Sequence, residues 1–154
     1  DSALFRNTVC VLTGPAGTAA NAVRQVESLW RDIGCRVEHM SAEEHDSVFA
    51  AVSHLPHLLA FAVVAQIASA PDAERKFAMA GPSFRDFTRI AASSPSMWTE
   101  ICMSNRAAIS SELHNHQQLL TKLQNALDEA DAGTLRHVFG QAAAASRRGP
   151  NATD

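Results

Sequence analysis

Residues 51–62 read AVSHLPHLLAFA, and the interpretation of the whole chain depends on this stretch. It predicts an apolar helix carrying two histidines, His54 and His57, three positions apart and therefore on one face. Ser53 is a candidate N-cap, with Pro56 tolerated in the first turn. A single kinked helix that continues through Pro56 fits the same residues. From this region towards the C-terminus, the pattern remains helical.

Two further helix starts and one apolar seam extend this pattern. Residues 41–44, SAEE, form a capping box, and Ser94-Pro95 provides a cap and a proline where another helix begins. We expect that second helix to be long and to cover residues 95–130. Its seam residues alternate in steps of four and three, as in a coiled coil, and are Ile109, Leu113, His116, Leu120, Leu123 and Leu127. A short last helix is predicted at 135–145, and a disordered tail at 147–154.

The first 40 residues follow a different pattern. A β-branched run at 8–13 predicts a strand, an amphipathic helix follows until Gly34, and residues 35–40 predict a second strand. Parallel sheets are normally wider than two strands and buried on both faces. We therefore expect a mainly α fold, in which a strand–helix–strand unit cut from a larger sheet precedes an all-helical domain.

The turn after the first predicted strand reads GPAG at residues 14–17. It lacks the three-glycine fingerprint of dinucleotide-binding proteins, and it lacks the Lys-Ser/Thr pair of a nucleotide-triphosphate loop. We interpret it as a plain strand-to-helix turn, so no cofactor-binding residue is predicted in this chain.

Composition argues against several classes of partner. The 154 residues carry a formal net charge of −3 with only scattered Lys and Arg, which argues against binding nucleic acid. Three cysteines, an odd number within apolar patterns, suggest reduced thiols and a cytoplasmic protein. The longest apolar run, at 58–70, is interrupted by Gln66 and is expected to be too short to span a bilayer.

The two histidines of the opening stretch allow three interpretations. They can be satisfied partners of backbone groups. If Ser53 caps the helix, both imidazoles lie in its first turn, where free N–H groups and the helix dipole favour a bound anion. His45 and Glu44 also make a metal site conceivable, but no second carboxylate–histidine pair completes a ferritin-like site, so we predict no bound metal.

Three blocks of the sequence together resemble a known family. They are SHLPHLLAFA at 53–62, SFRDFTRIA at 83–91 and SPSMW at 94–98. These blocks are similar to the helical C-terminal domain of prephenate dehydrogenases, and the resemblance covers nearly the whole chain. It implies that residues 1–40 are the end of a Rossmann-type nucleotide-binding domain and that residues 41–146 form the helical dimerisation domain.

The resemblance also implies an activity for the complete enzyme in tyrosine biosynthesis. Prephenate, a small dianion, is oxidised at its ring hydroxyl, hydride passes to NAD or NADP, and loss of CO₂ gives 4-hydroxyphenylpyruvate; arogenate gives tyrosine. The family's proton-accepting histidine and its cofactor site lie in the N-terminal domain. This chain alone is therefore expected to be inactive and to supply substrate binding and a homodimer interface through the helix at 95–130.

Individual roles follow from the matching blocks. The family's arginine in the FTRIA block contacts a substrate carboxylate, and the second histidine of the HLPH block lines the same pocket, which implies these roles for Arg89 and His57. His54 is expected in the same pocket. Met97 and Trp98 resemble the Met-Trp pair that walls it.

Two of these assignments have structural alternatives. Arg89 lies on an otherwise apolar stripe, where Asp86 can form a local ion pair with it. Trp98 at a helix start is equally suited to the core. For the chain as a whole, the alternative is a helical interaction or metal-binding module that is related to the family but has no catalytic role.

Overall fold

The mainly α fold with a strand–helix–strand unit at its N-terminus is confirmed by a computed structural model, which describes residues 4–148. Most of the tail expected at 147–154 lies outside the described residues. The elements are β1 (Val9–Leu12), α1 (Ala20–Asp32), β2 (Arg36–His39), α2 (Ala42–Phe49), a π-turn (Ala50–His54), α3 (Leu55–Ala68), α4 (Ala73–Ala78), α5 (Pro82–Thr88), a 3₁₀ turn (Arg89–Ala92), α6 (Pro95–Ser104), α7 (Arg106–Asp128) and α8 (Ala132–Ser146).

The strands β1 and β2 pair in parallel, with Val9 opposite Arg36 and Leu12 opposite His39. Helix α1 connects them. It ends at Asp32, and Gly34, two residues later, has a φ of 100°, a left-handed conformation that residues other than glycine rarely adopt. The next residue, Cys35, is buried and begins the return into the sheet.

Helices α2 and α3 form one continuous helix through the π-turn. The predicted cap at Ser41 is confirmed, because its Oγ accepts a hydrogen bond from the Glu44 N–H at 3.0 Å. The predicted cap at Ser53 is wrong, and the kinked alternative through Pro56 is confirmed. Pro56 has no N–H to donate to the carbonyl four residues earlier, so the backbone ladder changes register just before it.

Because the helix is continuous, it extends well beyond the apolar run at 58–70. Residues Ala42–Ala68 form a 27-residue helix that is long and apolar enough to cross a membrane by length and composition. The core helices of soluble proteins also meet this criterion of length and apolar composition. In its most apolar window 11% of the residues are fully buried, and many others of the helix, such as Leu58, Phe61 and Ile67, are half-buried.

The single helix expected at 95–130 is wrong in one respect, because it is broken at Asn105. Ser94 caps α6 as predicted, with its Oγ accepting from the Met97 N–H at 3.4 Å. Asn105 leaves helical geometry, with φ −111° and ψ 33°, and α7 begins at the next residue. The last helix, α8, begins at Ala132, earlier than predicted, because Asp131 caps it by accepting from the Thr134 N–H at 3.0 Å.

The chain divides into two compact units, Asp1–Ile109 and Ser110–Asp154. Buried apolar residues of the first unit are Cys35, Ala50, Leu55, Ala60, Trp98 and Ile109. In the second unit, the buried apolar residue is Ala126. The candidate site described next lies entirely within the first unit.

Candidate functional site

The two histidines of the HLPH block meet Trp98, and the three side chains form a histidine–tryptophan cluster. His57 stacks on the indole with ring centroids 3.8 Å apart and an interplanar angle of 19°. His54 meets the same indole edge-on, with centroids 6.2 Å apart. Trp98 is 8% exposed, so its ring forms a fixed wall against which both imidazoles are ordered.

The hydrogen bond of His57 defines which ring nitrogen carries a proton. Its Nδ1 lies 2.9 Å from the Ser53 carbonyl oxygen. A carbonyl only accepts, so Nδ1–H donates, and in the neutral ring Nε2 keeps its lone pair. Ser53 therefore does not act as a helix cap. Its backbone carbonyl orients the His57 ring instead.

His54 contacts a residue that the sequence analysis missed. The Asn105 amide nitrogen lies 3.2 Å from His54 Nδ1 and donates to the Asp46 carbonyl oxygen at 2.7 Å. Burial, with smaller effects from His45 and His57, lowers the pKa of His54 from its usual 6.5, against an opposing effect of Asp46. The only signal for Asn105 in the sequence was a poor helix former inside a helical pattern.

Arg89 lies at the start of the 3₁₀ turn, and this turn packs against α3. Its side chain is exposed. Within residues 4–148 it forms neither the expected alternative ion pair with Asp86 nor another side-chain hydrogen bond. By contrast, Arg85 is held by a hydrogen bond from its Nη1 to the Ala80 carbonyl at 2.7 Å.

Met97 is 47% exposed at the start of α6, whereas the neighbouring Trp98 is buried. Trp98 also lines an apolar cavity of about 330 Å³ between α3 and α6. The other residues lining this cavity are Leu58, Phe61, Pro95, Thr99, Cys102 and Met103. The structure therefore brings His54, His57 and Trp98 together with an apolar cavity beside the indole, and within residues 4–148 Arg89 forms no hydrogen bond with this cluster.

The side chains and cavities of the described residues also bear on metal and cofactor binding. Among residues 4–148, no three His, Cys, Asp or Glu side chains come together as metal ligands. A cavity of about 260 Å³ follows β1, and its lining is almost wholly apolar. That lining contains no Lys or Arg: Leu12, Thr13, Gly14, Pro15, Thr18, Ala22, Val23, Val26 and His39.

The helical part of the chain is a dehydrogenase dimerisation domain. The family model described as "Prephenate dehydrogenase, dimerization domain" matches residues 41–141. This is most of the chain, and the chain belongs to that family.

Relatives of known name extend the similarity beyond the helical part. The chain is 36% identical to the cyclohexadienyl dehydrogenase of Zymomonas mobilis, over 88% of its own length and 47% of the relative's. It is 34% identical to the prephenate dehydrogenase of Bacillus subtilis, over 88% of its own length and 37% of the relative's. The chain thus spans about half the length, or less, of these relatives.

A solved structure shows the same fold. Prephenate dehydrogenase from A. aeolicus, in complex with hydroxyphenyl propionate and NAD+, aligns with a TM-score of 0.80 and 33% identity. The alignment covers 92% of this chain and 50% of that one.

Proposed function

We propose that this chain is the C-terminal part of a prephenate or arogenate dehydrogenase and that it supplies substrate binding. The observation that carries the proposal is the histidine–tryptophan cluster, in which each Nδ1 is engaged by the protein and each Nε2 has no partner among residues 4–148. Two imidazole edges fixed against an indole can bind the oxygens of a small polar ligand. The membership of the family supports a substrate of that class.

The five residues of the proposed substrate site have different roles. His57 and His54 contact ligand oxygens through Nε2, and Trp98 with Met97 forms an apolar wall. Arg89 binds a substrate carboxylate, because an unengaged guanidinium offers a planar fork of donors that matches it.

The proposed cofactor and partner are those that the reaction of the complete family enzyme requires. NAD or NADP accepts hydride in the family reaction, and the turn at 14–17 lacks the three-glycine fingerprint of dinucleotide-binding proteins, so we propose that the cofactor binds outside this chain. On the same basis, residues 1–40 belong to the nucleotide-binding domain. The exposed apolar surfaces of the helical region at 41–146 are proposed to be covered in a homodimer, in the cytoplasm.

Arg89 provides the test of the substrate site. In the complete enzyme, we expect Arg89→Ala to lower kcat/KM for prephenate at least about 30-fold, because losing a charge-assisted pair typically costs about 2–5 kcal/mol. Arg89→Lys should restore little, since an ammonium cannot reproduce the bidentate contact. The matched control is Arg85→Ala, which removes an exposed guanidinium four residues away and should leave KM near the wild-type value.

An unchanged KM in Arg89→Ala would exclude this residue from the substrate site. If prephenate and arogenate both fail as substrates of the complete protein, the alternative of a non-catalytic interaction module is favoured.

A further inference from the structure

Asn105 connects the junction of α6 and α7 to two points of the long helix that contains α2 and the π-turn. It lies between α6 and α7 and is 9% exposed. Its amide nitrogen reaches the Asp46 carbonyl on α2 and the His54 ring on the π-turn, which are 59 and 51 residues away in sequence. A buried polar side chain at a helix break therefore holds the neighbourhood of the histidine–tryptophan cluster.

The orientation of this amide follows from its partners. The Asp46 oxygen, 2.7 Å away, is a carbonyl that can only accept, so the amide must present its NH₂ group there rather than its oxygen. The same nitrogen lies 3.2 Å from His54 Nδ1, so its second N–H is available to that ring. An amide nitrogen cannot accept a hydrogen bond, so His54 Nδ1 must be the unprotonated acceptor and Nε2 must carry the proton.

The π-turn makes this double contact geometrically feasible. In a regular α-helix each residue advances by about 100°, so Asp46 and His54, eight apart, would point about 80° away from each other. One extra residue in the π-turn reduces that offset to about 20°. The backbone of Asp46 and the ring of His54 therefore share one face, within reach of a single side chain.

We propose that Asn105 is a positioning residue of the substrate site: it holds His54 as the neutral Nε2–H tautomer, so that His54 donates a hydrogen bond to a ligand oxygen. This inference rests on the proposed function and assigns a direction to one of its contacts. His57 has the opposite tautomer, with Nδ1–H donated to Ser53. The pair thus offers one donor and one acceptor, which suits a ligand bearing a carboxylate and a hydroxyl.

The charge state of His54 is coupled to the same bond. Protonating Nδ1 would set its N–H against an Asn105 N–H, two donors facing each other, and would break the contact. The other groups that face His54 are His45, His57 and the Asp46 carboxylate on its own helix, and Trp98 on α6. Burial and the two histidines lower the pKa of His54, and Asp46 opposes them, so the neutral ring prevails above the usual 6.5.

The first test reads the tautomer in the unmodified chain. Histidine-specific ¹⁵N labelling and long-range ¹H–¹⁵N correlation spectra at pH 8 distinguish a protonated ring nitrogen from a bare one, and loss of a signal in His54→Gln assigns it. We expect Nε2 of His54 to be protonated and Nδ1 to be bare. Protonated Nδ1 would overturn the inference without any Asn105 variant.

The second test changes the donor. Asn105→Asp replaces the NH₂ group by a carboxylate, which only accepts, so we expect Nδ1 of His54 to become protonated and its titration midpoint to rise. Asn125→Asp is the matched control, because it adds the same charge at an exposed position of α7 and should leave the His54 signals unchanged. Unchanged His54 signals in Asn105→Asp would overturn the inference.

The third test adds a ligand, with prephenate and 4-hydroxyphenylpropionate as probes. We expect saturation to shift the His54 Nε2–H signal, and Asn105→Asp to weaken binding about 10-fold or more, as loss of a hydrogen bond to a charged group predicts. Binding of neither probe to the complete enzyme would overturn the proposed function, and the inference with it. Binding that leaves the His54 signal unmoved would overturn the inference alone.

Discussion

At the scale of single residues, Trp98 makes one stabilising and one destabilising contribution to the free energy of folding. Its ring is buried and packs against both histidines, which stabilises the first unit. Its Nε1–H, however, is buried and has no hydrogen-bond partner among residues 4–148. A buried donor without a partner costs about 1–3 kcal/mol, so the indole is retained at a cost that a phenyl ring would avoid.

Substitutions at Trp98 separate these contributions. We expect Trp98→Ala to lower the free energy of unfolding by about 3–5 kcal/mol, because it leaves a cavity beside α3. Trp98→Phe should cost clearly less, because it keeps an aromatic face for His57 and removes the unpaired donor. Urea unfolding of both variants measures the difference, with Trp30→Phe as the control for loss of an indole outside the helical domain. Equal losses in the two Trp98 variants would contradict this account.

At the scale of elements, the π-turn determines which side chains α3 presents to α6. One extra residue rotates everything after it by about 100° relative to α2. The contacts on both sides of the turn, from Asp46 to Asn105 and from His57 to Trp98, depend on that rotation.

Deleting Val52 tests the register directly. This residue of the π-turn is 68% exposed, so its side chain contributes little to packing. We expect the deletion to restore a regular α-helix, to separate His57 from Trp98 and to remove the near-ultraviolet circular dichroism of the fixed indole. Val52→Ala is the control, since it removes most of the side chain without changing the register. A deletion variant with the wild-type spectrum would show that the turn does not set these contacts.

The elements also show how far local sequence determines the fold. Ser41 and Ser94 were predicted as caps because a cap bonds to an N–H three residues away, within its own sequence neighbourhood. The break at Asn105 could not be predicted in this way. The side chain there is held by Asp46, 59 residues earlier, and a contact at that distance leaves no periodic pattern.

The candidate site, like the fold, was predicted in part. The resemblance singled out His54, His57 and Trp98, and the structure brings them together. Spacing alone supported the wrong cap at Ser53, because Pro56 is compatible with either a helix start or a kink. In the structure the helix continues through residues 50–54, so there is no helix N-terminus at Ser53 to favour a bound anion. The substrate roles of these residues and of Arg89 remain predictions.

At the scale of the whole molecule, the amount of uncovered apolar surface is large. The helix at Ala42–Ala68 exposes Val48 and Val52 by 42% and 68%, and α7 exposes Leu119, Leu120 and Leu127 by 41%, 50% and 62%. Extended apolar surfaces of this kind mark an interface with another chain or with another part of the same protein. Because the family model describes a dimerisation domain, a second copy of this chain is the simplest partner to bury these apolar side chains.

Leu120 tests the homodimer. We expect a dimeric mass by light scattering at micromolar concentrations, and we expect Leu120→Asp to dissociate the dimer, because a carboxylate would be buried in an apolar seam. Asn115→Asp adds the same charge at an exposed polar position of α7 and should remain dimeric. A monomeric wild-type chain would contradict the assignment of α7 to the interface.

The narrow sheet also affects how the protein behaves when concentrated. Among residues 4–148, β1 and β2 pair only with each other, so the outer edge of each strand is a row of free backbone N–H and C=O groups. Such open edges act as templates on which strands of neighbouring molecules can add. Preparations of this chain should therefore form larger, concentration-dependent assemblies through their strands, and a charged substitution in α7 will not dissolve them.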